Sequence, residues 1–368
     1  MRLIRFQDNG IYYSEIKSEI AYRFHEGGQM IIPVRLHKHS YPIRIERGTL
    51  EKAGECFRLD RKVLVLTDEG VPPVYAETVA KQCGEPHILT VPQGEGSKSF
   101  PVLETVLEKM LVSGFNRGDC VVSVGGGVIT DLGGFAASVY MRGIDCYGVP
   151  TTVLADVDAS VGGKTAVNFR GVKNIVGAFY QPKAVLIDPE TLKTLPKRQV
   201  KNGLAEALKM AVTLDGELFG QFEKGSPDPD LEEIIIRSVL LKRDIVEQDE
   251  KESDLRRVLN FGHTIGHGIE SAAKGELLHG ESVALGMIPM CSEPLRSRLK
   301  AILDRMGFQT EIDLDPEEVY AAVVHDKKSR SDGIGVVRCD APGSFTIGTV
   351  AYEELKPLIG TVVRRKTI

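Results

Sequence analysis

From about residue 41 to 190, short β-rich runs alternate with helical stretches, and no other feature of the chain restricts its fold as strongly. YPIRI (41–45), KVLVLT (62–67), DCVVSVGGG (119–127), DCYGVP (145–150) and AVLID (184–188) read as strands. The stretches 72–82, 98–113 and 128–139 read as helices. Such alternation implies a largely parallel sheet covered on both faces. Past Pro196 the pattern changes to long helical stretches at 198–214, 230–250, 254–273 and 279–299. Pro and Gly gather at their ends, as in SPDPD (226–230) and KGELLHGE (274–281). The expectation is an α/β domain over 30–195 and an α-helical domain over 196–368. Residues 1–29 are set apart as an N-terminal extension, expected to be disordered and dispensable, because their pattern is mixed and Met30 opens the first apolar stretch.

Composition narrows the functional classes. The 368 residues suit about two domains at roughly 150 residues each. A formal net charge of -5 gives no general attraction to nucleic acid or to an anionic membrane. No apolar run approaches the roughly 18 residues that span a bilayer, and the N-terminus lacks the apolar core of a secretory signal. Six scattered cysteines form no CxxC pair, so neither a disulfide framework nor a cysteine zinc site is expected, and a reduced cytoplasm is favoured.

Four segments carry chemistry. In VVSVGGGVITD (121–131) an apolar strand ends in three glycines and a helix begins, a place where backbone N–H groups and the helix dipole can meet a phosphate. It is not GxGxxG, and a tight turn without ligand is the competing reading. The loop 151–174 sets Lys164, Lys173, Asp156, Asp158 and Asn174 among glycines, either a phosphate site or a solvated basic loop. In NGLAEALK (202–209), Glu206 and Lys209 share a helix face, where a surface ion pair is the bland reading and by itself the better one. In LRRVLNFGHTIGHGIE (255–270), Arg256, Asn260, His263 and His267 fall at i, i+4, i+7 and i+11 on one stripe of an otherwise apolar helix. Such a stripe should face a polar cavity, because unpaired buried polar groups are costly. Spacing alone selects His263 and His267 as a metal pair, completed by a carboxylate from Glu206 or Glu281, in the three-ligand pattern of catalytic zinc.

These segments, in this order and over about residues 41–350, resemble the 3-dehydroquinate synthases of the shikimate pathway, within the sugar phosphate cyclase family. The motifs that carry the resemblance are GGGVITDLGGF, PTTVLADVDASVGGKTAV, VKNIVGAFYQPKAVLID, TLKTLP, NGLAEALK, LNFGHTIGHGIE and LHGESVALGM. The resemblance implies a Rossmann-like N-terminal domain, an α-helical C-terminal domain and an active site between them. It implies bound NAD, a divalent metal (zinc or cobalt), a small sugar acid phosphate as substrate, and a homodimer. Glu206, His263 and His279 carry over as metal ligands, and His267 moves to the substrate phosphate. The NAD contacts carry over as Asp68, Glu95, Lys98, Gly126, Gly127, Asp131, Thr151, Thr152, Lys164, Lys173, Thr194 and Leu195. The substrate contacts carry over as Arg142, Asp158, Lys164, Asn174, Lys209, Lys242, Arg256, Asn260 and His267, joined by Lys327 or Lys328. Glu252 stands at a position the family associates with this site.

The chain departs from the usual family pattern at Gly70, where Asn is common, and at Thr130, where Gly is common. Asp156 and Ala159 replace an uncharged residue and Ser. The substrate implied is 3-deoxy-D-arabino-heptulosonate 7-phosphate, and the implied reaction regenerates NAD in each turnover. Competing readings are a 2-deoxy-scyllo-inosose or 2-epi-5-epi-valiolone synthase, a metal-dependent polyol dehydrogenase, and a non-catalytic sugar-phosphate binder. The set Lys242, Arg256, Asn260 and His267 favours a carboxylated substrate, hence dehydroquinate synthesis.

Overall fold

The computed structural model describes residues 2–5, 11–14, 29–225, 230–327 and 333–365. Lys328 and the side chain of Lys327 lie outside the described residues. The chain divides into two compact units. One holds the described residues within 21–200 and 242–251, the other those within 1–20, 201–241 and 252–368. The segment 242–251 joins the first unit because its polar side chains are satisfied there: Lys242 pairs with Asp158, Gln181 Nε2 donates to Glu250 Oε1 at 3.0 Å, and the Arg35 N–H donates to Glu247.

In chain order the strands are β1 (Arg2–Arg5), β2 (Ile11–Ser14), β3 (Met30–Val34), β4 (Tyr41–Ile45), β5 (Lys62–Asp68), β6 (Glu85–Val91), β7 (Cys120–Gly125), β8 (Asp145–Pro150), β9 (Lys164–Phe169), β10 (Val172–Phe179), β11 (Ala184–Ile187), β12 (Ile334–Arg338) and β13 (Ser344–Val350). The first unit is built on a seven-stranded sheet of order β3-β4-β11-β8-β7-β5-β6. All its pairings are parallel except β3 with β4. The central strands are continuous apolar runs because both faces are covered. Val63 and Val65 of β5 join Val122, Val149 and Ala76 on one face, while Leu64 and Leu66 join Val121, Ile129, Leu132 and Met110 on the other. Each such Val, Leu, Ile or Met side chain, fully buried, contributes about 1.5–3 kcal/mol. The chain runs β5 to β6 toward one edge and then returns to place β7 on the other side of β5. The carboxyl ends of β5 and β7 therefore flank a reversal of strand order, where open α/β sheets take ligands.

The segment 151–174, read as a loop, is not one. Ala155–Ala159 is a π-helical turn, and β9 and β10 form an antiparallel hairpin. Val167 of that hairpin is buried in the same apolar cluster as Val121 and Phe135, which holds the hairpin to the sheet's helical layer.

The second unit is mainly helical, with Lys197–Leu214 entering it and His263–Ala272, His279–Met287 and Leu295–Arg305 following. It also carries a four-stranded antiparallel sheet, β1-β2-β13-β12. Thus Arg2–Arg5 and Ile11–Ser14, within the segment set apart as an extension, pair with each other, and the latter pairs with β13. Two expected helices are interrupted. The stretch 254–273 splits into a 3-10 segment, Leu255–Asn260, and the helix His263–Ala272, because Gly262 takes a left-handed φ of 78°. The stretch 279–299 breaks at a 3-10 turn, Ile288–Met290, which contains Pro289, and restarts after Pro294. No described helix is long and apolar enough to cross a membrane.

Candidate active site

In the second unit Glu206 is fully buried in the middle of Lys197–Leu214. The ion pair that would be bland on a surface is here in the core: Lys209 Nζ lies 2.6 Å from Glu206 Oε2, with the side chains 2% and 0% exposed. Lys209 also donates to the Leu259 carbonyl at 2.6 Å. The other carboxylate oxygen, Oε1, lies 3.4 Å from His279 Nε2 and 3.8 Å from His263 Nε2. Neither Glu206 oxygen has a hydrogen-bond partner of good geometry. Burial opposes ionisation, but the charge of Lys209 and the two histidines overrides it and holds Glu206 well below the usual carboxylate range. Burial likewise keeps His263 well below the usual imidazole range, against the pull of Glu206. For His279, burial is outweighed by contact with Glu206 and with Glu270, which lifts it to about 10.

Glycine brings these side chains together. A Cβ on Gly262 would fall 2.6 Å from Met287 Cγ, and one on Gly286 would fall 2.0 Å from the Gly262 carbonyl. The helices bearing His263 and His279 therefore touch backbone to backbone. A Cβ on Gly280 would lie 2.0 Å from the Asn202 carbonyl, so the start of the His279 helix abuts the Glu206 helix equally closely. The Asn202 side chain accepts the Gly280 N–H at 2.6 Å and locks that contact.

His267 falls in the same cluster. One ring nitrogen from each of His263, His267 and His279 lies within 4.8 Å of the others. The pair chosen from spacing is thus adjacent, but Glu206 stands against His263 and His279. Glu281, the other candidate carboxylate, is spent on its own helix: it accepts the Leu278 N–H at 2.9 Å. The expected stripe is broken at Gly262, so Arg256 and Asn260 reach their places from a 3-10 segment and not from the histidine helix. Arg256 is 1% exposed. Asn260 Nδ2 donates to Glu252 at 2.5 Å, and Glu252 holds a left-handed φ of 59°. Glu270, 3.2 Å from His279 Nδ1, was not singled out by sequence reading. Its signal is the next place on the same stripe, three residues after His267 and seven after His263.

The first unit gathers the other expected residues. Asp68 ends β5 and is 8% exposed, with one oxygen accepting the Gly70 N–H at 2.8 Å. Burial raises its carboxyl above the usual range, against the N–H groups of Gly70 and Val71. Gly126 and Gly127 open the helix Gly127–Val139, whose start has no side-chain cap. Lys98, buried, donates to Asp131 at 2.6 Å and to Asn174, while Glu95 accepts from Asn168. The Thr151 N–H donates to the Gly125 carbonyl, and Thr152 Oγ1 accepts the Ala155 N–H. Thr194 shares a hydrogen bond of 2.9 Å with Tyr75, and the Leu195 N–H donates to Leu192. Lys242 donates to the carboxylate and the carbonyl of Asp158. Lys164 and Lys173 are exposed on the β9–β10 hairpin, and Arg142 is exposed after Val139 with a φ of 69°.

The departures have local causes. A Cβ on Gly70 would sit 2.3 Å from Gln93 Nε2, so Gln93 occupies the space a larger residue would need. Thr130 turns its hydroxyl inward to the Gly127 carbonyl at 3.0 Å. Ala159 lies where a Cβ on Gly127 would meet it at 3.2 Å.

The 3-dehydroquinate synthase N-terminal family pattern matches residues 88–202, and the 3-dehydroquinate synthase C-terminal pattern matches 203–329. The 3-dehydroquinate synthase of Enterococcus faecalis (strain ATCC 700802 / V583) is 40% identical over 352 residues, spanning 90% of this chain and 98% of that protein. Among solved structures, 2-deoxy-scyllo-inosose synthase complexed with carbaglucose-6-phosphate, NAD+ and Co2+ matches with a TM-score of 0.82 at 28% identity, covering 90% of this chain and 99% of that one. The 2-epi-5-epi-valiolone synthase from Streptomyces hygroscopicus subsp. jinggangensis 5008, with NAD+ and Zn2+ bound, matches with a TM-score of 0.80 at 28% identity, covering 89% and 98%. With the two family patterns matching consecutive segments from 88 to 329 and a relative 40% identical over 90% of the chain, this chain belongs to the 3-dehydroquinate synthase family.

Proposed function

We propose that the chain converts 3-deoxy-D-arabino-heptulosonate 7-phosphate into 3-dehydroquinate and phosphate, as an NAD- and metal-dependent carbon–oxygen lyase. The observation that carries this reading is Glu206 Oε1, fully buried and without a hydrogen bond, facing the Nε2 atoms of His263 and His279 in a chain of this family. The 40% identity to a 3-dehydroquinate synthase, against 28% to the inosose and valiolone synthases, supports the carboxylated substrate over theirs.

The donor set suits a divalent ion. Two imidazoles and one carboxylate form the three-ligand pattern that leaves a position for substrate, and a buried oxygen without a partner is what a cation satisfies. Zinc or cobalt is held by Glu206, His263 and His279. The first unit suits the dinucleotide: the uncapped start of Gly127–Val139 offers N–H groups to a diphosphate. Asp68, across the strand-order reversal, suits a ribose hydroxyl. When bound, the dinucleotide supplies a reversible hydride acceptor and the ion a Lewis acid.

The remaining work belongs to the chain's own side chains. Lys164, Asn174, Asn260 and His267 hold the phosphate, with Arg142 joining from the second copy of a homodimer. Arg256 grips the carboxylate with its planar fork and Lys242 adds a point charge. Lys209 keeps Glu206 ionised, so the carboxylate stays a ligand. Glu252 orients the Asn260 amide. The test is incubation of the protein with the heptulosonate phosphate, NAD and zinc. Equal amounts of phosphate and dehydroquinate, with no net change at 340 nm, are expected. Accumulating NADH without phosphate would sink the reading in favour of a dehydrogenase.

A further inference from the structure

The structure assigns to Glu270 the role of a positioning residue for His279; this inference rests on the reading of Glu206, His263 and His279 as metal ligands. Glu270 lies near the end of the helix His263–Ala272, and its Oε2 is 3.2 Å from His279 Nδ1. The other ring nitrogen, Nε2, is 3.4 Å from Glu206 Oε1. One imidazole is thus engaged at both nitrogens by carboxylates from two different helices. A neutral imidazole has one N–H and one lone pair, and a ligand needs the lone pair on the nitrogen that faces the ion. An acceptor on Nδ1 fixes the proton there and leaves Nε2 as the donor atom, and it also fixes the ring plane. His263 is set by the same device with a neutral acceptor, the Phe261 carbonyl at 3.1 Å from its Nδ1. His279 has a charged acceptor instead, which makes the stronger hydrogen bond and the more basic ligand.

The carboxylate end of this contact is the sheltered one: the Glu270 side chain is 13% exposed, against 32% for His279. Each histidine opens its helix, and close glycine contacts fix both backbones, at Gly262 for His263 and at Gly280 for His279, which follows the turn 273–278; the ring plane is what remains to be set. A carboxylate from the preceding helix, reaching back across that turn, ties the His279 ring to the element that carries the other histidines.

Three variants of the full chain test the assignment, with Glu206→Ala as the control. Each is stripped with a chelator, checked by circular dichroism and melting, and titrated with Zn2+ against a chromogenic chelator. Glu270→Ala and the near-isosteric Glu270→Met should weaken Zn2+ binding by about 10- to 100-fold while the stripped proteins melt close to the parent. Glu270→Gln, whose amide oxygen can still accept from Nδ1, should recover most of that loss. With Co2+ the visible spectrum of Glu270→Met should change in shape, as expected for a reoriented ligand. Should Glu270→Ala fail to fold, Glu270→Met alone decides. Parent-like Zn2+ affinity in folded Glu270→Met, with binding lost in Glu206→Ala, overturns the role of Glu270 and leaves the ligand set standing. Parent-like affinity in Glu206→Ala overturns the ligand set itself.

Discussion

Asp156 sits in the π-helical turn Ala155–Ala159 with no exposed surface, and neither of its carboxylate oxygens has a hydrogen-bond partner. Burial pushes its carboxyl well above the usual range, and repulsion from Asp188 adds to the shift. Asp188 is well served by comparison, accepting the N–H groups of Gly48, Leu50 and Glu190, whereas Asp156 has only its own proton to offset burial. A raised folded pKa means that the unfolded chain gives up its proton first, at about pH 4. The stability tied to this proton is whole below that pH and is lost as pH rises through the folded value. Asp156→Asn removes the titration at nearly constant shape. It should melt with the parent at pH 4 and be more stable by about 1–3 kcal/mol at pH 7; parallel pH–melting curves for the two proteins would contradict this. Lys209 presents the opposite case, a buried charge that is paired. Lys209→Met leaves Glu206 with only His263 and His279 beside it in the core of the stripped protein and should cost about 3–5 kcal/mol, and a cost below 1 kcal/mol on chemical denaturation would show that the charge of Glu206 does not depend on Lys209.

The helices His263–Ala272 and His279–Met287 owe their separation to Gly262 and Gly286, and the site owes its geometry to that separation. The left-handed φ of Gly262 stops the preceding 3-10 segment and aims His263 inward, a conformation that strains any residue with a Cβ. Gly286 is an ordinary helical residue whose missing side chain is the contact itself. Gly286→Ala should therefore be judged by packing and not by helix propensity, which would favour alanine by about 1 kcal/mol. A Cβ 2.0 Å from a backbone carbonyl forces the helices apart. The expected result is a net loss of about 1–3 kcal/mol and a weaker Zn2+ affinity, because His279 moves away from Glu206. A melting temperature at or above the parent's, with unchanged affinity, would mean the helices can slide without penalty. This is also where sequence reading reached its limit. The 3.6-residue spacing of Arg256, Asn260, His263 and His267 is real, but periodicity carries no information about a single glycine that reverses the backbone. The first-unit strands were legible because covered parallel strands are continuous apolar runs. The β9–β10 hairpin was not, since most of its residues are exposed or half-buried and its glycines and lysines look like loop.

Across the whole molecule, each unit brings together one share of the expected site without reference to the other. Glu206, Lys209, His263 and His279 meet in the unit that holds residues 252–365, while Asp68, Gly126, Lys98 and Asn174 belong to the unit built on the seven-stranded sheet. The Glu206–Lys209 pair shows why the first group was only half readable: three residues apart on a helix, it looks the same whether it faces water or the core, and only packing decides. If both groups serve one reaction, damage to either should stop turnover while sparing the other's ligand. Glu206→Ala should lose Zn2+ binding and activity yet bind NAD as the parent does. Lys164→Ala should keep Zn2+ affinity and release phosphate about 100- to 1000-fold more slowly, as expected when a cation that stabilises developing charge is removed. Chelation should abolish activity in the parent and added zinc restore it, whereas neither treatment should rescue Glu206→Ala. A Lys164→Ala protein that turns over at a near-normal rate would remove the first unit's lysine from the chemistry. A Glu206→Ala protein that also loses NAD would show that the two groups do not bind their ligands independently.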